Sequence, residues 1–191
     1  MTRGRLEAFS DGVIAILITI MVLELKVPKG PDLAALRPLV TLLLTYLLSF
    51  VLVGIYWNNH HHLLHASRIV DGKVLWANLF LLFWLSLFPF TTAWMGENGF
   101  AALPVALYGG VLLMAGVAYY ILERLLIRIQ PPEARLREAV GLDYKGISSV
   151  VAYVFAIATS LVLPAVAVAI YVGVAIWWFI PDRRIERAVR R

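Results

Sequence analysis

Residues 5–25 read RLEAFSDGVIAILITIMVLEL: Arg5, Phe9, Ser10 and Asp11 lead straight into the uncharged run Gly12–Leu23, which Glu24 closes. An arginine and an aspartate at the mouth of a membrane helix are costly unless they are paired or line a wet path. This stretch therefore predicts a membrane-spanning helix with a polar network, or an ion path, at its entrance.

The rest of the chain agrees on the class. Hydrophobic residues make up 61% of the 191 positions and charged ones 15%, and the mean hydropathy is +0.82. A soluble domain is far more polar. The expectation is an all-α integral membrane protein. A hydrocarbon core of about 30 Å takes roughly 20 residues per helix, and six stretches qualify, near 8–25, 38–63, 74–94, 101–127, 146–162 and 165–181. The last two are separated only at Leu163-Pro164, but as one helix Ile147–Ile180 would run about 50 Å. Two crossings with a tight turn fit better. Proline is tolerated within membrane helices, so Pro89 and Pro104 call for no further breaks.

With six spans and both termini in the cytoplasm, the inner segments collect fourteen of the 17 Lys and Arg residues, leaving Lys26, Lys29 and Arg37 outside. That asymmetry follows the positive-inside rule. Residues 1–181 then form a single six-helix transmembrane domain and 182–191 a basic cytoplasmic tail. A signal-peptide reading of the first segment is disfavoured by Asp11 and by the lack of a small-x-small cleavage site before Glu24. The absence of cysteine removes disulfides and thiol chemistry. The net charge of +5 fits basic flanks against anionic lipid rather than nucleic-acid binding. Pro131-Pro132 and the residues up to Asp143 suggest a surface helix at the cytoplasmic interface.

Helix geometry sorts the first span into faces. Gly12, Ile16, Thr19, Ile20 and Leu23 all fall within about 60° of Arg5 around the axis, whereas Asp11 points elsewhere. If copies of this helix surround an axis, Ile16, Ile20 and Leu23 form successive apolar rings above a wide mouth at Gly12, with the Thr19 hydroxyl between them. Such rings gate by dewetting, or strip part of an ion's hydration shell. Leu17, off the stripe, is expected to face lipid. Taken alone, periodicity of this kind is better explained by ordinary packing or lipid contact than by a pore.

Arg5, Phe9, Ser10, Asp11, Gly12, Val13, Ala15, Ile16, Thr19, Leu23 and Glu24 resemble the first helix of the transmembrane protein 175 family, potassium channels of endolysosomes with shorter prokaryotic relatives. The likeness continues at Trp57 and His60 (WNNH) and at Asn78, Leu79, Pro89 and Phe90 (NLFLLFWLSLFPF), and reaches the second half of the chain only by helix count. It implies a potassium-permeable cation channel without a carbonyl filter, a homotetramer around the first helix, in the cell membrane. The family's constriction would fall on Ile16, with Thr19, Ile20 and Leu23 as further pore positions and potassium passing near Ile16 and Thr19 with no fixed protein-ligand site. Arg5, Phe9, Ser10, Asp11, Trp57, His60 and Asn78 would form the polar network that holds the pore helix. The implied partners are copies of the same chain, potassium ions and lipid; no cofactor and no nucleic acid are expected.

Other patterns carry less. His61 and His65 stand one turn apart and could share a metal, but no further ligand follows until Asp71, so structural histidines are expected. Tyr108-Gly109-Gly110 lacks the Thr-Val-Gly of a carbonyl filter and reads as small-residue helix packing. An enzyme would need a serine–histidine pair, facing aspartates or HExxH; none is present, and Ser86 has no spaced histidine. A secondary transporter, with paired halves and interrupted midplane helices, and a non-conducting structural membrane protein are the alternative readings.

Overall fold

The computed structural model describes residues 2–131 and 144–179. The surface helix expected up to Asp143, apart from Gln130 and Pro131, and the basic tail lie outside the described residues.

All the regular structure among the described residues is helical. Helix α1 spans Arg3–Leu23; a 3₁₀ helix over Leu33–Leu39 leads into α2, Val40–His65. Helices α3, Gly72–Ser86, and α4, Phe88–Glu97, follow, then α5, Ala102–Ile129, α6, Tyr144–Ser160, and α7, Pro164–Phe179. Among the described residues four stretches, Arg3–Leu23, Leu33–His65, Gly72–Glu97 and Ala102–Ile129, are long and apolar enough to cross a membrane. Helices α6 and α7 have 17 and 16 residues and form a hairpin through the turn at 161–163. Pro164 opens α7, where its missing N–H costs nothing.

The structure departs from expectation within the third stretch. Regular helix stops at Ser86 and resumes at Phe88. Pro89 has no N–H to give the carbonyl of Leu85, and its ring crowds that carbonyl, so the stretch is interrupted where an unbroken helix was expected. Pro104 does no such harm because it lies in the first turn of α5, whose N–H groups have no intrahelical partner.

Contacts between helices fix their directions. As numbers rise along α1 from Arg3 to Asp11, its partners on and just beyond α2 fall from Ser67 to Trp57, so α1 and α2 are antiparallel. Ser10 meets Asn78 near one end of α1, and beyond the other end Lys26 meets Glu97 at 2.8 Å, so the α3–α4 pair runs parallel to α1. The carboxylate raises the pKa of the Lys26 ammonium above its ordinary value.

Small and hydroxylated residues let the helices approach, as in membrane bundles generally. A Cβ on Gly96 would sit 2.9 Å from the Leu42 Cα, so α4 crosses α2 almost backbone to backbone. Ser49 of α2 bonds Thr92 of α4 at 2.6 Å and Tyr108 of α5 at 2.9 Å. Gly109 accommodates Tyr171 of α7, whose hydroxyl a Cβ there would strike and which donates to the Val105 carbonyl at 3.1 Å. Tyr108-Gly109 thus serves helix packing.

Candidate functional site

Helix α1 is uncharged on every side between Gly12 and Leu23, so its neighbours decide which face is covered. Leu6, Ser10, Ile14, Leu17 and Met21 are buried; they share one side of the helix, away from the stripe that holds Ile16. That stripe is left open: Ile16 is 58% exposed, Ile20 39% and Leu23 79%, with Gly12 and Thr19 also exposed. Leu17 does not face lipid as expected. It is only 5% exposed, because α1 turns this side toward its own bundle.

The exposed face carries no charge from Gly12 to Leu23. Its one hydroxyl, on Thr19, donates to the Ile16 carbonyl at 2.8 Å, which spends the proton and leaves the oxygen lone pairs free to accept. Chemically it is an aliphatic ridge with a single weak cation-attracting point.

Beneath this ridge lies a buried polar chain. Asn78 Nδ2 donates to Ser10 Oγ at 2.9 Å, its Oδ1 lies 2.7 Å from His60 Nε2, and Ser10 Oγ donates to the Leu6 carbonyl at 2.9 Å. All three residues have 0% exposure. Because hydrogen bonds buried in an apolar medium have no water to replace them, this chain fixes α1 against α2 and α3. Trp57 Nε1 donates to Asp11 Oδ1 at 3.0 Å at the exposed edge. Asp11 lies two turns into α1, not at its N-terminus, so this indole rather than the helix dipole is its partner.

Of the residues expected in the network, the structure brings together Ser10, His60 and Asn78, and separately Asp11 and Trp57. Phe9 is 49% exposed. Arg5 is exposed and its side chain makes no ion pair or hydrogen bond among the described residues; it shares the open stripe with Gly12 and Leu23.

Three further residues have roles that were not expected. Arg3 Nη1 donates to the carbonyls of His65 at 3.1 Å and Ser67 at 3.2 Å. Glu7 Oε1 lies 3.0 Å from His61 Nδ1. Gln130 Oε1 accepts from the Arg68 and Ile69 amides, and its Nε2 donates to the Ile69 carbonyl, clasping the α2–α3 loop to the end of α5. Glu7 had a readable signal: Glu7 and Asp11 are four apart, as are Trp57 and His61, so the two helices present matching ladders.

The His61 and His65 rings stack at 5.9 Å. Among the described residues no group of three or more His, Cys, Asp or Glu side chains is placed to hold a metal ion.

These features define an all-helical, multi-pass membrane protein whose first helix turns an uncharged face outward from its own bundle. The chain belongs to the TMEM175 family. A family model described as the endosomal/lysosomal potassium channel TMEM175 matches residues 5–89. A protein of Chryseobacterium sp. (strain P1-3) named a potassium channel is 53% identical over 190 residues, covering 100% of this chain and 99% of its own. Another so named, from Streptomyces collinus (strain DSM 40733 / Tue 365), is 35% identical over 130 residues and 62% of each chain. The crystal structure of a lysosomal potassium-selective channel TMEM175 homolog from Chamaesiphon minutus matches with a TM-score of 0.78 at 28% identity, over 93% of this chain and 96% of that one.

Proposed function

We propose that the chain forms a potassium-permeable cation channel, a homotetramer of six-span subunits with both termini cytoplasmic, in the cell membrane. The pore is lined by α1 and constricted by a ring of Ile16 side chains, with Thr19, Ile20 and Leu23 as further pore-facing positions. The observation that carries this reading is the division of α1 into a buried face that packs on its own subunit and an uncharged, exposed face centred near Ile16. Names of relatives supply the ion, since those matching over the greatest length are named potassium channels.

Physically, an aliphatic ring selects by hydration. An ion passing it must shed water without replacement by protein oxygens, which favours the cation whose shell is held less tightly. The Thr19 oxygens offer partial compensation next to the ring. The buried Ser10–Asn78–His60 chain and the Asp11–Trp57 bond would hold α1 rigid, so that the ring keeps its diameter. Arg5, on the pore-side stripe, and Phe9 would complete the polar network across subunit contacts.

The test is potassium and sodium flux through purified protein in liposomes. Ile16→Asn is expected to change conductance or the potassium-to-sodium ratio by about tenfold, the effect of roughly 1.4 kcal/mol at a barrier. The matched control is Ile176→Asn, at a position 61% exposed on α7, expected to leave the ratio unchanged. Equal effects at both positions would place the constriction elsewhere.

A further inference from the structure

A second feature lies away from α1, in a cavity of about 40 Å³ between α2, α5, α6 and α7. Its depth is lined by Leu52, Tyr56 and Tyr153, and Asn59, Tyr119 and Trp178 stand toward the end of the bundle where α2 and α5 finish. The Tyr119 hydroxyl is committed to the Asn59 carbonyl at 3.1 Å and the Trp178 indole N–H to Ser149 at 2.8 Å. The hydroxyls of Tyr56 and Tyr153 bond no described group, although Tyr153 is only 3% exposed. A Cβ on Gly116 would stand 3.8 Å from the Tyr56 hydroxyl, so this glycine keeps the space before that hydroxyl open.

Two unspent O–H donors inside an apolar bundle call for an acceptor, because an unsatisfied hydroxyl in a hydrocarbon setting is costly. Among the described residues the lining contains no charged side chain, which argues against a phosphate or carboxylate and for a neutral oxygen. The volume admits about three water-sized groups, enough for a carbonyl and its first methylenes but not for a whole chain. Trp178 and Tyr119 are residues of the kind that sit at the level of lipid glycerol esters. We infer that this cavity is a binding site for the ester end of a membrane glycerolipid, with Tyr56 and Tyr153 donating to its carbonyl and the acyl chain leaving past half-buried Ile55.

The inference does not depend on conduction and is tested without it. Protein reconstituted with an equimolar mixture of diacyl phosphatidylcholine and its diether analogue, which lacks the carbonyls, is re-extracted in mild detergent, and the lipid retained per chain is measured by mass spectrometry. The unaltered protein is expected to retain the ester lipid about tenfold over the ether lipid. Tyr56→Phe with Tyr153→Phe, which removes only the two hydroxyls, brings the ratio to about one, and Gly116→Leu reduces retention of both. Equal retention of ester and ether lipid by the unaltered protein, as would follow if the cavity held only water, overturns the inference whatever the variants do.

Discussion

Ile16 and Leu17 are chain neighbours of similar size, yet one is open and the other sealed in the core. In an aqueous protein such a contrast is written as polar against apolar, whereas in a membrane protein lipid and core accept the same side chains. The stripe through Gly12, Ile16 and Leu23 was legible from helix period alone; the covering of Leu17 was not, since it depends on which neighbour arrives. The consequence is quantitative. Leu17→Ala is expected to destabilise the folded subunit by about 2–5 kcal/mol, the cost of a core truncation, seen as a lowered melting temperature in detergent, and Ile16→Ala to leave the subunit's own packing intact. At Asn78, substitution by Leu leaves Ser10 and His60 facing a methyl group. A loss of about 1–3 kcal/mol is expected for partners left unsatisfied, again by thermal melting, and an unchanged melting temperature would mean that the buried chain holds nothing in place.

Helices α5 and α7 meet through Gly109, and the neighbouring Gly110 faces open space. The dipeptide is therefore two experiments. Gly109→Ala drives a methyl group into the Tyr171 hydroxyl and is expected to lower stability by about 1–3 kcal/mol through overpacking. Gly110→Ala adds helix propensity without a collision and is expected to be neutral or stabilising by about 0.5–1 kcal/mol. Comparing the melting temperatures of the two variants checks the assignment, and reversal of their order would refute it. The hairpin of α6 and α7 was legible because chain length forbade a single crossing. The interruption near Pro89 was not, since tolerance of proline in a membrane helix says that the bundle survives and not that the helix continues. Glu7 and His61 show a third kind of gap. Their pairing was encoded in matching four-residue spacings on two helices, but only the antiparallel packing of α1 on α2 brings those ladders together.

For the whole molecule, composition and spacing were enough for the all-helical membrane class and for a first helix with an uncharged stripe. The number of copies was not legible, because a subunit's sequence has no period that counts its neighbours; that expectation came from resemblance. The open face of α1 states only that something other than this bundle lies against it. A tetrameric pore makes the uncovered face water-accessible at its mouth and along its rings, whereas a lipid-facing helix keeps it dry. The chain contains no cysteine, so a single introduced thiol reports on its own position without background.

The most direct test of the pore assignment is potassium flux through proteoliposomes bearing Ile16→Cys, before and after a water-soluble, charged thiol reagent. Modification is expected to suppress most of the flux, because a charged adduct in a narrow ring blocks every conducting path, and Ile176→Cys treated in the same way is expected to conduct as before. Flux through Ile16→Cys that persists after complete modification, verified by mass, would contradict it and remove α1 from the ion path.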